Sequence, residues 1–302
     1  MMEAVFENIR EKREKMTADA HIHIFMNGYD YRKAVRDMRE GRVEDVVRQN
    51  LETYAGMGFE LLRDGGDHYG ASALAKGLAP SYGLDYRTPL FAIHKRNHYG
   101  RIVGEAFDTL SEYRSLVQKA LFQGADFIKI MVSGILDFDK GGLTEGSLAP
   151  DEIEAMIAIA HEEGAAVMVH TNGPEAVKAV VRAEAESLEH GNFMDEECID
   201  LLAKSRTVYV PTLSTLRNLI GEGRFPDRIT GADWESQVSV IRSCYEAGAR
   251  LAVGSDAGAY AVPHGKGALD EKEAFYRILG KKEAVDRRLE EGMALIREFS
   301  TR

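Results

Sequence analysis

Eight short apolar segments, each followed by a helix-like segment, are the feature that most restricts the fold of this chain. Strands that alternate with helices are typical of parallel βαβ units. Eight such units favour a closed α/β fold, the (β/α)8 TIM barrel, in which active-site residues lie at the carboxyl ends of the strands. The predicted strands cover residues 18–24, 59–63, 89–94, 126–132, 165–170, 187–190, 207–211 and 250–255.

The segments between the strands complete the predicted architecture. We expect helices over residues 31–57, 105–123, 194–204 and 232–247, a charged lead-in helix over 3–15 and a helical tail from about residue 269. Residues 67–88 contain Gly, Pro and Tyr in no clear period, so we expect mostly loop there. Since no interdomain linker or clear flanking β-sandwich is evident, residues 1–302 are predicted to form a single barrel domain.

The composition narrows the class of protein. The chain has 302 residues, is 44% hydrophobic and carries a formal net charge of -11, which disfavours nonspecific binding to nucleic acid or membrane. Its apolar runs are far shorter than the ~20 residues of a membrane span, and residues 1–15 do not resemble a secretory signal. Cys198 and Cys244 lack the spacing of a metal or redox pair. We expect a cytoplasmic protein with a small-molecule substrate, and a homo-oligomer is compatible with the sequence.

The first predicted strand carries two histidines. Within the segment M-T-A-D-A-H-I-H-I-F, His21 and His23 are two residues apart. Side chains alternate between the faces of a strand, so both imidazoles point to the same side, roughly 6–7 Å apart at their base. Two imidazoles at this spacing can bind one metal ion, whereas Ile22 and Ile24 face the helices.

Further polar residues stand in or just after later strands, where a barrel collects them at one mouth. Lys129 lies in the fourth strand, His170 and His190 end the fifth and sixth, and Asp256 follows the eighth. A single histidine at a strand end is more often a hydrogen-bonded structural residue. Four histidines and an aspartate at the same end are better explained as a metal site.

Five motifs occur in an order that resembles the amidohydrolase superfamily of metal-dependent hydrolases. They are D-A-H-I-H, F-I-K-I-M-V-S-G, V-M-V-H-T-N-G, S-L-E-H-G and V-G-S-D-A-G. The later V-Y-V-P-T-L-S-T and P-H-G resemble the branch of prolidase-like and Xaa-Arg dipeptidases. The resemblance covers roughly residues 18–270 and is more specific for the superfamily than for the substrate.

This resemblance implies a binuclear site with two divalent metal ions, zinc being the expected metal. His21, His23 and Asp256 would hold one ion, His170 and His190 the other, and a carbamate on Lys129 would bridge them. A bridging hydroxide would attack a carbonyl carbon, with Asp256 as the catalytic residue that transfers the proton to the leaving nitrogen. The implied reaction is hydrolysis of a C–N amide bond, for example in a dipeptide or an N-acyl amino acid.

Two other functions stay open. If Lys129 is an ordinary lysine paired with an acid such as Asp256, the site holds one metal, as in a deaminase or a cyclic-amide hydrolase. A metal-binding protein without catalysis is less favoured, because Asp256 supplies a base that binding alone does not need.

Two histidines outside the motifs are candidates for substrate binding. His98 follows the third strand and His264 follows the eighth. For His98, a solvated position in a loop explains the residue as well as substrate binding does. For His264, lining the pocket and lying outside it are equally compatible with the sequence.

Overall fold

The computed structural model describes residues 18–280 and 282–299. The predicted lead-in helix over residues 3–15 lies outside the described residues. The strands, in chain order, are β1 (Ala18–Ile22), β2 (Leu61–Asp64), β3 (Asp85–Arg87), β4 (Ala92–Lys95), β5 (Gly104–Phe107), β6 (Ile128–Met131), β7 (Val167–Thr171), β8 (Ser187–His190), β9 (Val208–Val210) and β10 (Arg250–Leu251).

Helices follow most of these strands. They are α1 (Tyr31–Arg39), α2 (Val43–Met57), α3 (Ala71–Leu78), α4 (Leu110–Phe122), α5 (Pro150–Glu162), α6 (Pro174–Arg182), α7 (Glu196–Lys204), α8 (Ser214–Arg217), α9 (Asp227–Ala247), α10 (Lys266–Leu279) and α11 (Lys282–Glu298). A short 3-10 helix, Ala79–Tyr82, continues α3. No helix among the described residues is both long enough and apolar enough to cross a membrane.

The paired strands form two parallel sheets. One has the order β1-β2-β3 and the other β10-β9-β8-β7-β6-β4-β5. The amide of Ala20 donates to the carbonyl of Val253 at 2.9 Å, and that of Asp256 donates to the carbonyl of His21 at 2.7 Å. Near the other edge, the amide of Asp126 donates to the carbonyl of Thr88 at 2.9 Å. The predicted α/β class is confirmed, with its parallel strands and alternating helices.

Three local predictions are wrong. Residues 31–57 form two helices instead of one, because Gly41 takes a left-handed φ of 81° and ends the first. Residues 67–88 contain α3, the 3-10 helix and β3, where we expected mostly loop. The carboxylate of Asp67 accepts the amides of Ala71 and Ser72 and so caps the start of α3.

The third error concerns the start of the helix predicted over 105–123. Residues 104–107 form β5, which pairs in parallel with β4. The helix begins at Leu110 because Thr109 and Glu112 form a reciprocal capping box. Gly104 permits the close strand pairing, since a Cβ there would overlap the carbonyl of Ala92.

Candidate functional site

A cavity of about 550 Å³ opens at the carboxyl ends of the strands. All six predicted metal-site residues line it, and we call them the floor: His21, His23, Lys129, His170, His190 and Asp256. They come from β1 and the residue just after it, from β6, β7 and β8, and from the segment after β10. The parallel direction of the strands therefore gathers residues that are up to 235 positions apart in the chain (256 minus 21).

Three of the floor residues have ligand atoms close enough to share a small cation, and the other imidazoles lie beside them. Nε2 of His21 is 3.7 Å and Nε2 of His23 is 3.4 Å from Oδ1 of Asp256. The His170 and His190 rings have their centroids 4.5 Å apart, and the His21 and His190 rings 5.2 Å apart. One nitrogen or oxygen atom from each of His21, His190 and Asp256 can be chosen so that all lie within 4.8 Å of one another.

One nitrogen of each imidazole is occupied by a neighbouring acceptor. Nδ1 of His21 lies 2.8 Å from Oε2 of Glu189, and Nδ1 of His190 lies 2.7 Å from Oγ1 of Thr212. His170 uses Nε2, 3.3 Å from the carbonyl of Gly134, and His23 uses Nδ1, 3.4 Å from that of Gly66. When the N–H points to the acceptor, the other nitrogen keeps its lone pair, as a metal ligand requires.

Burial keeps these imidazoles neutral. It lowers the pKa of His23 and of His170 to about 3, with the nearby positive charge of Lys129 as a second cause. The pKa values of His21 and His190 are also lowered well below the usual value, again mainly by burial. Neutral imidazole is the form that binds metal, so the electrostatics of the floor fit a cation.

Lys129 has an unusual position for a lysine. Its side chain is buried, and among the described residues Nζ has no hydrogen-bond partner. Burial lowers the pKa of this ammonium, because a buried charge without a partner is unfavourable. Burial likewise raises the pKa of the Asp256 carboxyl. An unpaired, buried amine beside four imidazoles is unexpected for a structural lysine and fits a modified or metal-associated one.

The backbone is strained at this end of the strands. His190, Thr212 and Asp256 have φ angles of 71°, 51° and 58°, in the left-handed region that non-glycine residues seldom adopt. Such conformations cost of order 1–3 kcal/mol each and cluster at functional sites. Gly65 contributes in another way, because a Cβ at this position would overlap the imidazole of His23.

Sequence reasoning missed a buried ion pair beneath the floor. Oε1 of Glu189 lies 2.7 Å from Nη2 of Arg63, while its other oxygen contacts His21. Nε of Arg63 also donates to the carbonyl of Ala20 at 2.7 Å. Both residues interrupt apolar strands, and this is the signal that could have identified them. Together they hold the orientation of His21.

Loops form the opposite wall of the cavity, which we call the roof: Phe138, Arg224, Phe225 and Tyr260. The ring centroids of Phe138 and Phe225 are 5.3 Å apart, and those of Phe225 and Tyr260 are 6.5 Å apart. The guanidinium of Arg224 lies 4.0 Å from the centroid of Tyr260. Three separate loops therefore meet through aromatic contacts, and no motif in the sequence indicated this.

The two predicted substrate-binding histidines lie in different places. His98 lines the cavity, with Nδ1 3.7 Å from Oε1 of Glu145. His264 is not among the residues that line it. Its Nε2 lies 2.8 Å from the carbonyl of Met26 and its Nδ1 3.3 Å from the hydroxyl of Tyr54. With both ring nitrogens engaged, His264 has the contacts of a packing residue.

The Amidohydrolase family model matches residues 17–293, and the chain belongs to this family. Ochratoxinase of Aspergillus niger is 26% identical over 180 residues, covering 56% of this chain and 36% of that protein. An uncharacterized protein of Mycobacterium tuberculosis is 34% identical over 146 residues, covering 44% of this chain and 38% of that protein. The matches thus span little more than a third of these relatives.

Solved structures show the same fold. A Xaa-Pro dipeptidase with bound methionine has a TM-score of 0.72 at 21% identity, covering 94% of this chain and 76% of that chain. The A. niger ochratoxinase has a TM-score of 0.73 at 21% identity, covering 89% and 68%. The family model confirms the predicted superfamily, and these solved structures share its fold.

Proposed function

We propose that this member of the amidohydrolase family is a metal-dependent hydrolase that cleaves a C–N amide bond in a small molecule such as a dipeptide or an N-acyl amino acid. The observation that carries the proposal is the floor itself. Four neutral imidazoles, each with one nitrogen left over, converge with Asp256 and the unpartnered amine of Lys129. This donor set suits divalent cations, zinc above all.

Two ions would be held in the way that the motifs imply. His21, His23 and Asp256 would bind one, His170 and His190 the other, and a carbamate of Lys129 would serve both. A carbamate forms when a neutral amine attacks carbon dioxide and loses one proton. The lowered pKa of Lys129 favours the neutral amine that this reaction needs. The carbamate then offers two anionic oxygens where an ammonium has no lone pair.

Divalent ions in such a site supply Lewis acidity, which polarises a carbonyl and makes water more acidic. The chain's own contribution is proton transfer and orientation. Asp256 accepts a proton from the attacking water and returns it to the leaving nitrogen, so that the product departs as an amine. The Glu189 carboxylate favours the tautomer of His21 that carries its proton on Nδ1, and Thr212 holds the orientation of the His190 ring. The three aromatic rings of the roof favour a substrate with an aromatic or apolar group.

The test combines metal analysis with turnover. We expect two zinc ions per chain, an added mass of about 44 Da on Lys129 in native mass spectrometry, and release of an amine from dipeptides or N-acyl amino acids. Chelation should abolish turnover, and zinc with bicarbonate should restore it. Lys129→Ala should lose activity, whereas Lys266→Ala, on the exposed surface, should not. Full zinc loading without turnover on a broad substrate library would contradict the proposal.

A one-metal deaminase or cyclic-amide hydrolase is the second candidate. The mutual proximity of ligand atoms from His21, His190 and Asp256 favours it, because three ligands suffice for a single ion. In that case one ion per chain is expected, and Lys129→Ala keeps much of the activity. Release of ammonia would identify a deaminase, whereas ring opening without ammonia would identify a cyclic-amide hydrolase.

A further inference from the structure

A second cavity, of about 500 Å³, lies beside the site cavity and, unlike it, has no carboxylate from the described residues in its lining. Its charged lining residues are all arginines: Arg32, Arg36 and Arg39 from α1, and Arg101 from the connection between β4 and β5. We call this cavity the arginine groove. No Asp or Glu within residues 18–280 or 282–299 lines it, although the chain has 49 acidic and 38 basic residues. In a chain with more acidic than basic residues, a cavity lined by four arginines is not explained by composition.

The three arginines of α1 are spaced so that they repel one another. Arg32 and Arg36 are four residues apart, Arg36 and Arg39 three, so they share one face of the helix. Like charges at these spacings destabilise a helix by a few tenths of a kcal/mol per pair. An anion in the groove would remove this repulsion.

The carboxylates near the groove are engaged elsewhere. Asp30 caps α1 by accepting the amides of Arg32 and Lys33 at 2.9 and 3.1 Å. Asp37 accepts Nζ of Lys33 at 2.6 Å and also pairs with Arg42. Within the described part of the chain, the side chains of Arg36, Arg39 and Arg101 make no hydrogen bond or ion pair, so their guanidinium groups remain available to a ligand. Arg36 interacts only at longer range with the carboxylates of Asp30 and Asp37.

The arginine groove adjoins the site cavity. Tyr31, Arg101 and Ile102 line both cavities. The segment that contains Arg101 also contains Tyr99, whose ring centroid lies 5.2 Å from that of His170. A ligand bound at the floor can thus extend past these three shared lining residues into the arginine groove.

We propose that the arginine groove binds an anionic group, a carboxylate or a phosphate, and that this group is carried by the substrate. Guanidinium groups donate two parallel N–H bonds and match both anions. The chain as a whole carries a formal net charge of -11, so an anionic substrate needs a local basic groove in order to dock. The assignment to the substrate depends on the proposed hydrolase function, whereas binding of the anion does not.

Calorimetry on the full chain tests the anion site without turnover. We expect saturable binding of inorganic phosphate and of glutarate, and at least about tenfold weaker binding when Arg36→Gln is combined with Arg39→Gln. Both arginines are exposed, so circular dichroism and zinc content should not change. Arg287→Gln, an exposed arginine of α11, is the matched control and should bind like the wild type. No binding by the wild type, or equal binding by all three proteins, overturns the proposal.

Kinetics on matched dipeptides then identify the source of the anion. We expect a higher kcat/KM for a peptide with Glu than for the same peptide with Gln, and loss of this preference in the double variant. Phosphate binding without any Glu preference would support the anion site and overturn its assignment to the substrate. If no peptide is cleaved at all, the hydrolase proposal fails, while the calorimetry still decides whether the groove binds anions.

Discussion

The floor and the roof of the site cavity are built by different means. The floor imidazoles are buried side chains at or near strand ends, held by hydrogen bonds to the backbone and to Glu189 and Thr212. Roof residues lie on loops, are partly or fully exposed, and hold one another through ring contacts. The comparison indicates that the floor sets the chemistry and that the roof sets which substrate is accepted. The following measurements test whether the two walls have these separate roles.

The largest effect is expected for Asp256→Asn. Removing the proton acceptor should lower kcat/KM by about a thousandfold or more, because general acid–base catalysis contributes up to about 10⁴-fold. Steady-state kinetics with parallel metal analysis measures it. Asp139→Asn, an exposed aspartate in a neighbouring loop, should leave kcat/KM unchanged. An Asp256 variant that keeps more than about a tenth of the wild-type rate would remove this residue from its catalytic role.

Glu189→Gln should impair the floor indirectly, by removing the carboxylate that contacts His21 and Arg63. Arg63 loses its buried ion pair and His21 loses a charged acceptor, so the free energy of unfolding should fall by about 3–5 kcal/mol. Zinc affinity should fall by about 10–100-fold. Urea unfolding and zinc titration measure the two effects. Combining Arg63→Met with Glu189→Met should restore much of the stability but not the zinc affinity; recovery of both would contradict the role of Glu189 in orienting His21.

Phe225→Ala should affect the roof alone. Loss of its ring contacts with Phe138 and Tyr260 should raise KM for an aromatic substrate by about 2–10-fold, with little change in kcat or zinc content. Phe122→Ala is the matched control, since this side chain is 94% exposed, and no kinetic change is expected. If kcat falls and KM is unaltered, floor and roof are not separable.

The smallest effect is expected at the start of α7, where Asp195 is not among the residues that line the site cavity. The Asp195 carboxylate accepts the amide of Cys198, and this hydrogen bond is the main cause that lowers its pKa to about 2. The folded-state pKa lies below the unfolded value, so the stabilisation is present above about pH 4 and is lost as the pH falls towards 2. Asp195→Ala should therefore cost about 1 kcal/mol near neutral pH and less in acid. Urea midpoints at several pH values test this, and an unchanged kcat is expected.

Each of the eight predicted strands overlaps an observed one, because buried parallel strands are continuous apolar runs with polar residues at their ends. Residues 187–190 illustrate this, since their predicted limits are those of β8. Prediction failed at residues 67–88 and 104–107, where side-chain caps and close strand contacts decide the local structure. Four statements stay predictions. They are the single barrel domain, the two metal ions, the carbamate on Lys129 and the cytoplasmic location.

The α/β class and the six floor residues could be predicted from the sequence. Apolar strands that alternate with helices are a local pattern, and in parallel strands the polar residues at the carboxyl ends lie at the same side of the sheet. Only the tertiary structure decided which imidazole nitrogen is free, how Glu189 and Arg63 support His21, and how Phe138, Phe225 and Tyr260 meet. It alone placed Arg101 beside the arginines of α1. These features arise from contacts between segments distant in the chain, and their energies depend on burial and distance, which no local pattern records.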